Sequence, residues 1–174
     1  MVVPNTLILT QRDVARLMTM KTAVQVMARA FRLQASGQVR MPPKLYLTLP
    51  DGVSDFRAMP AYIGSPPAAG VKWVNVHLAN RRRGLPTVMA VVVINDPSTG
   101  FPLAMMDGLL VTQMRTAAAA AVAAKTLAQP RASRVGLVGC GAQGVPQLAA
   151  LAEVLPIREV KVWGYRPGEA ARFC

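Results

Sequence analysis

Arg134-Val-Gly-Leu-Val-Gly-Cys-Gly-Ala-Gln-Gly-Val-Pro-Gln-Leu-Ala-Ala-Leu151 is the stretch that decides the architecture of this chain. A short apolar strand runs directly into Gly139-x-Gly141-x-x-Gly144, and an apolar helix pattern follows. The first glycine permits a tight turn, the second lets the backbone approach a pyrophosphate, and the third allows close packing of helix on strand. The N–H groups at the start of that helix then face the phosphates, so the stretch reads as a dinucleotide cradle. Only about 30 residues follow Gly144, whereas a doubly wound nucleotide domain needs on the order of a hundred more. A chain truncated at its C-terminal end is therefore expected, with just the opening βαβ unit in place.

Upstream of the cradle the pattern changes. Thr10 is placed to cap a helix over 11–17, and a second helical pattern runs from about Lys21 to Ala35, closed by Gly37. From Lys44 to Trp73 short apolar runs alternate with Pro50-Asp-Gly, Gly64-Ser-Pro-Pro and Gly70, the signature of sheet broken by turns. Thr87 to Asn95 and Phe101 to Met106 read as an antiparallel hairpin around Asp96-Pro-Ser-Thr-Gly100. Thr112 opens an alanine-rich helix that ends near Leu127, before Pro130. Arg134–Val138 is the first parallel strand, Gln143–Leu155 its crossover helix and Glu159–Trp163 the second strand. The expected class is α/β: an α+β substrate and dimerisation domain over residues 1–118, then a connecting helix and an incomplete Rossmann domain over 119–174. Two parallel strands alone would leave apolar edges and faces open to water.

Composition narrows the function. Of the 174 residues 52% are hydrophobic, enough for a packed core. The longest apolar run, Ala117–Ala124, is too short to span a bilayer, so no membrane segment is expected. Met1-Val-Val-Pro-Asn-Thr-Leu7 lacks the pattern of a signal peptide, which points to the cytoplasm. Cys140 and Cys174 build neither a disulfide framework nor a zinc site. The net charge of +12 raises the question of nucleic acid. The basic residues are scattered, however, and the one run, Arg81-Arg82-Arg83, has no aromatic interleaving, so a solvated loop explains it better.

Several residues could carry chemistry. Lys72 sits between Val71 and Trp73 in a run that otherwise reads as buried sheet. Burial would depress its pKa and poise it for proton transfer at a carbonyl or imine, while a strand-edge lysine reaching water is the plain alternative. Arg57 and Arg115 have forks suited to a carboxylate or phosphate. For Arg115, a position at the positive end of a helix would be unfavourable without an anion. Asp107 could pair with such a cation or serve as a turn residue or cap, and His77, the single histidine, fits a satisfied polar role, so a hydrolase triad has no support. About twenty residues past Gly144, where an acid would normally bind the adenosine ribose of NAD, the chain reads Trp163-Gly164-Tyr165-Arg166. With that acid missing and Arg166 available for a 2′-phosphate, NAD and NADP both remain open. Arg166 as a simple loop residue also stands.

Together, Met41-Pro-Pro-Lys44, Arg57-Ala-Met-Pro60, Gly70-Val-Lys-Trp-Val-Asn75, Gly84-Leu-Pro-Thr-Val88, Thr99-Gly-Phe-Pro-Leu-Ala-Met-Met-Asp-Gly108, Thr112-x-x-Arg115 and Gly136-Leu-Val-Gly-Cys-Gly-Ala-Gln143 carry a resemblance across nearly the whole chain. The sequence resembles the ornithine cyclodeaminase family, which includes archaeal-type alanine dehydrogenases and mu-crystallin, and its motifs look closest to the alanine dehydrogenase branch. The resemblance implies a homodimer acting on a small amino acid with NAD or NADP. It puts the catalytic lysine on Lys72 and substrate-carboxylate binding on Arg115, with Lys44 at a position where cyclodeaminases and ketimine reductases have arginine, and Arg57 compensating. Cofactor contacts fall on Thr87, Gly139, Gly141, Ala142, Gln143, Gly144 and Arg166. The family's catalytic aspartate would lie beyond Cys174, so little activity is expected of these residues alone. A non-catalytic, mu-crystallin-like ligand-binding dimer or a ketimine reductase is the alternative.

Overall fold

The computed structural model describes residues 5–174. The first four residues, part of the stretch in which no leader was read, lie outside them. The chain divides into two compact units: the described residues through Leu17 with Ala30–Thr112, and Met18–Arg29 with Gln113–Cys174. The division thus runs inside two helices, and the second unit takes in residues 18–29, which no linear split of the sequence includes.

The first unit is built on one mixed seven-stranded sheet. After β1 (Leu7–Leu9), α1 (Gln11–Leu17) begins at the expected cap: Thr10 N donates to Asp13 Oδ2 at 3.0 Å and Asp13 N to Thr10 Oγ1 at 3.3 Å, a reciprocal pair that satisfies free N–H groups of the first turn. α2 (Met20–Ala35) closes on Gly37 at φ 74°, with Gln38 N donating to Leu33 O at 2.9 Å. Then come β2 (Val39–Arg40), β3 (Leu45–Thr48), β4 (Asp55–Gly64), β5 (Pro67–Val76), β6 (Val88–Asn95) and β7 (Pro102–Asp107). The strand order is β1-β7-β6-β5-β4-β2, with β3 also paired to β4, and only the β1–β7 pairing is parallel.

Two expectations need correcting here. Gly70 does not break the sheet, because β5 runs straight through it. A Cβ on Gly70 would collide with the carbonyl oxygen of Val93 on β6, so glycine is what the close strand approach requires. The alanine-rich helix, α3, spans Leu109–Leu127 and does not begin at Thr112. Asp107 Oδ1 accepts the Leu109 N–H at 3.0 Å, an Asx-type turn, and Thr112 N already donates to Gly108 O at 2.9 Å. The cap is therefore made before Thr112 is reached. Ala117, Ala118 and Ala121 of α3 are fully buried.

The second unit carries β8 (Arg134–Val138) and β9 (Glu159–Trp163), both with the bounds read from sequence, paired in parallel as a two-stranded sheet. α4 (Gly144–Ala152) connects them and is shorter than expected; α5 (Glu169–Phe173) follows β9. Val138 and Trp163 are exposed, as a sheet of two strands dictates. No helix among the described residues is long and apolar enough to cross a membrane.

Candidate active site

The pleat sorts the residues of the large sheet. Lys72 pairs with Met59 on β4 and Val92 on β6, and Arg57 pairs with Val74 on β5 and Tyr46 on β3. Because alternate residues share a face, Lys72, Val74, Arg57 and Tyr46 lie on one side, and Lys72 and Arg57 are diagonal neighbours there. β5 is an interior strand flanked by β4 and β6, so the strand-edge alternative for Lys72 does not hold. Lys72 is half-buried.

Arg57 is clamped. Its Nε and Nη2 donate to Asp55 Oδ1 and Oδ2 at 2.7 and 2.8 Å, and its guanidinium carbon lies 5.1 Å from the centre of the Tyr46 ring. The Asp55 hydrogen bonds raise the pKa of Arg57, and the same bonds hold the Asp55 carboxyl below its ordinary range. The fork that sequence reading reserved for a substrate already grips a carboxylate of its own, leaving the Nη1 edge to turn elsewhere. Asp55 was missed, though an acid two residues from an arginine in a strand necessarily shares its face. Lys44 is exposed and immediately precedes β3, two residues before the Tyr46 that pairs with Arg57.

On the opposite face, Phe56 stacks on Trp73 with centroids 5.5 Å apart, and His77 meets Phe56 edge-on. His77 Nδ1 is 2.8 Å from Asn75 Nδ2, the satisfied role expected of it. Thr87 sits just before β6, and its carbonyl accepts the His77 N–H at 2.8 Å. Arg115 lies well inside α3 rather than at its start, so the argument from the helix's positive end fails. Arg115 is exposed, yet desolvation by the protein around it still pulls its pKa down, and among the described residues no carboxylate pairs with it.

The glycine loop has the geometry of a dinucleotide cradle. Gly139 takes φ 106°, and its N–H donates to Trp163 O at 2.8 Å, tying the loop to the end of β9. A Cβ on Gly144 would stand 2.7 Å from Phe173 Cε2, whereas one on Gly141 would meet nothing within 4 Å, so the loop is open there to a ligand. Gln143 Oε1 is buried without a hydrogen-bond partner among the described residues. An orphaned acceptor of this kind at the start of α4 fits a group that brings its own donor. Ala142 is exposed beside it, and Arg166 is exposed past the end of β9. The residues of this loop fit a dinucleotide. Lys72, Arg57, Lys44 and Thr87 belong to the first unit, whereas Arg115, Arg166 and the glycine loop belong to the second.

Comparison with known proteins agrees with this geometry. Alanine dehydrogenase of Archaeoglobus fulgidus is 49% identical over 169 residues, covering 97% of this chain and 51% of that protein. The solved structure of an archaeal alanine dehydrogenase dimer with bound NAD superposes with a TM-score of 0.91 at 48% identity, over 97% of this chain and 51% of its own. The Thermococcus litoralis Δ1-pyrroline-2-carboxylate reductase in complex with NADH and L-proline superposes with a TM-score of 0.92 at 35% identity, over 97% of this chain and 52% of its own. The chain spans about half the length of these relatives. The model of the ornithine cyclodeaminase/mu-crystallin family matches residues 4–174, and the chain, with its glycine loop and its lysine-bearing sheet, belongs to that family.

Proposed function

We propose that the chain is the substrate-binding and partial nucleotide-binding portion of an NAD(P)-dependent oxidoreductase acting at the Cα of a small L-amino acid, of the alanine dehydrogenase type. The observation that carries this reading is the pairing, in one chain, of an open glycine loop with a sheet face that presents Lys72 beside a clamped Arg57. The degree of identity to an alanine dehydrogenase supports that branch over the cyclodeaminases. Gly139, Gly141, Ala142, Gln143 and Gly144 would hold the pyrophosphate portion of the dinucleotide, with Thr87 and Arg166 as further contacts. The nicotinamide supplies a hydride acceptor when bound.

The remaining roles fall to the chain's own side chains. The family resemblance assigns substrate-carboxylate binding to Arg115 and, on the first unit, to Arg57, which Asp55 orients, with Lys44 as an outlying cation. Fixing the carboxylate orients the Cα hydrogen, a positioning effect worth several kcal/mol. Lys72 Nζ takes the proton that the amine loses in becoming the imine, and returns a proton as water adds to the imine carbon and ammonia leaves to give the keto acid.

The two-stranded β8–β9 sheet leaves apolar side chains exposed, and these 174 residues alone are expected to turn over little substrate. A chimera in which they replace the matched half of the Archaeoglobus enzyme tests the reading. It is expected to form NADH from L-alanine and to lose that activity on Lys72→Met. A well-folded chimera that is inactive, or a Lys72→Met form that retains full turnover, would sink it.

A further inference from the structure

The acid that ordinarily follows the second strand of a dinucleotide fold is replaced here by Gly164, and the structure explains why no side chain stands there. A Cβ on Gly164 would lie 2.7 Å from Glu169 Cβ, 3.1 Å from Ala170 N and 3.2 Å from Cys140 Sγ. Glu169, the first residue of α5, has therefore folded back onto the end of β9, and it does so against Cys140, the residue between Gly139 and Gly141. Glu169 Oε2 accepts the Arg166 N–H at 3.1 Å, which fixes the carboxylate through the turn. After burial, the negative charge of Glu169 is the next cause holding the Cys140 thiol up, so the carboxylate acts on the glycine loop itself. Gln143 Oε1, buried and without a hydrogen-bond partner among the described residues, lies in the same glycine loop.

We infer that Glu169 is the ribose-selecting acid of this chain, arriving by a turn from five positions beyond the usual place, and that it makes the nucleotide site prefer NAD to NADP. A carboxylate beside the glycine loop accepts the hydroxyl hydrogens of an adenosine ribose and repels a 2′-phosphate. One oxygen of Glu169 is engaged by Arg166 N, and among the described residues the other makes no hydrogen bond, which leaves it to the ribose. The exposed Arg166 side chain offsets part of the repulsion without removing it. This inference rests on the nucleotide reading of the loop.

The pyrophosphate and adenosine portions of such a site lie within β8, the loop, α4 and the end of β9, so the 174-residue chain can be titrated with NAD and NADP by calorimetry. Glu169→Gln is the informative variant, because its amide oxygen still accepts the Arg166 N–H and the turn survives; circular dichroism checks that it does. NAD is expected to bind about tenfold more tightly than NADP, and Glu169→Gln to erase most of that ratio, in keeping with one charge-assisted hydrogen bond lost and one repulsion relieved. Equal affinities in the parent chain, or a ratio that a folded Glu169→Gln leaves unmoved, overturns the inference while the nucleotide reading stands. Binding of neither dinucleotide overturns both.

Discussion

Gly70 and Gly136 make a matched pair in which the same substitution should act with opposite sign. Both are strand glycines, on β5 and β8. A methyl group at position 70 would strike the Val93 carbonyl oxygen and stand 3.1 Å from Ile94 Cδ1 and 3.4 Å from Ile94 Cα. Two of these neighbours are backbone atoms of a paired strand, which cannot rotate aside, so the β5–β6 ladder must open where Gly70 faces Ile94. Overpacking of this kind costs about 1–3 kcal/mol. Restricting the unfolded chain returns about 0.4–1 kcal/mol, so Gly70→Ala should be destabilising by roughly 1–2 kcal/mol. At about 2–4 °C per kcal/mol for a chain of this size, the melting temperature should fall by about 2–8 °C. A methyl group at position 136 meets nothing within 4 Å, so Gly136→Ala keeps only the entropic gain and should raise stability by about 0.4–1 kcal/mol. Thermal melts followed by circular dichroism, with urea midpoints as a second measure, read both. If Gly70→Ala proves as stable as the parent, or if both variants shift in the same direction, the close-approach argument for β5 is wrong.

Three further outcomes follow from the geometry. Asp51 accepts the Val53 and Ser54 N–H groups at 3.0 and 2.8 Å, and the Ser54 side chain first, then these two N–H groups, hold its pKa down to about 2 from 3.8. A folded-state pKa below the unfolded one means stability that is complete above pH 3.8 and lost as pH falls toward 2; urea midpoints between pH 5 and 2, values at about which such linkage operates, should decline less steeply in Asp51→Asn than in the parent. In the active chimera, Asp55→Asn frees the Arg57 fork and should raise KM for L-alanine by about tenfold with a smaller effect on kcat, since orientation rather than charge is lost; an unchanged KM would remove Arg57 from the substrate site. Trp73, Val91, Met105, Leu45 and Leu47 stand exposed on the sheet face opposite Lys72, an apolar area of the kind monomers seldom leave open. We expect a second copy to cover it, so light scattering should find the parent dimeric and Trp73→Glu monomeric; a monomeric parent would refute this.

What the sequence disclosed and what it withheld divide along one physical line, the distance over which each signal acts. The strand Arg134–Val138 and its glycine turn are legible because strand, bend and helix start are contiguous and each glycine answers a local demand. The Thr10 cap is legible for the same reason. Gly70 misled because its cause is the Val93 carbonyl on another strand, and a glycine read locally looks like a break. The start of α3 was displaced to Thr112 because threonine caps helices well, while the Asp107-Gly108 pair that makes the turn read equally as a hairpin end. Lys72 and Arg57 could each be singled out from their neighbours in sequence, but that they share one face depends on the β4–β5 register, which the turn through Ser65 and Pro66 sets. Glu169 shows the limit most sharply. Its role cannot be read at the expected position, since a residue there would have to occupy the volume that Glu169 itself fills, and only the folded turn converts an absent acid at 164 into a present one.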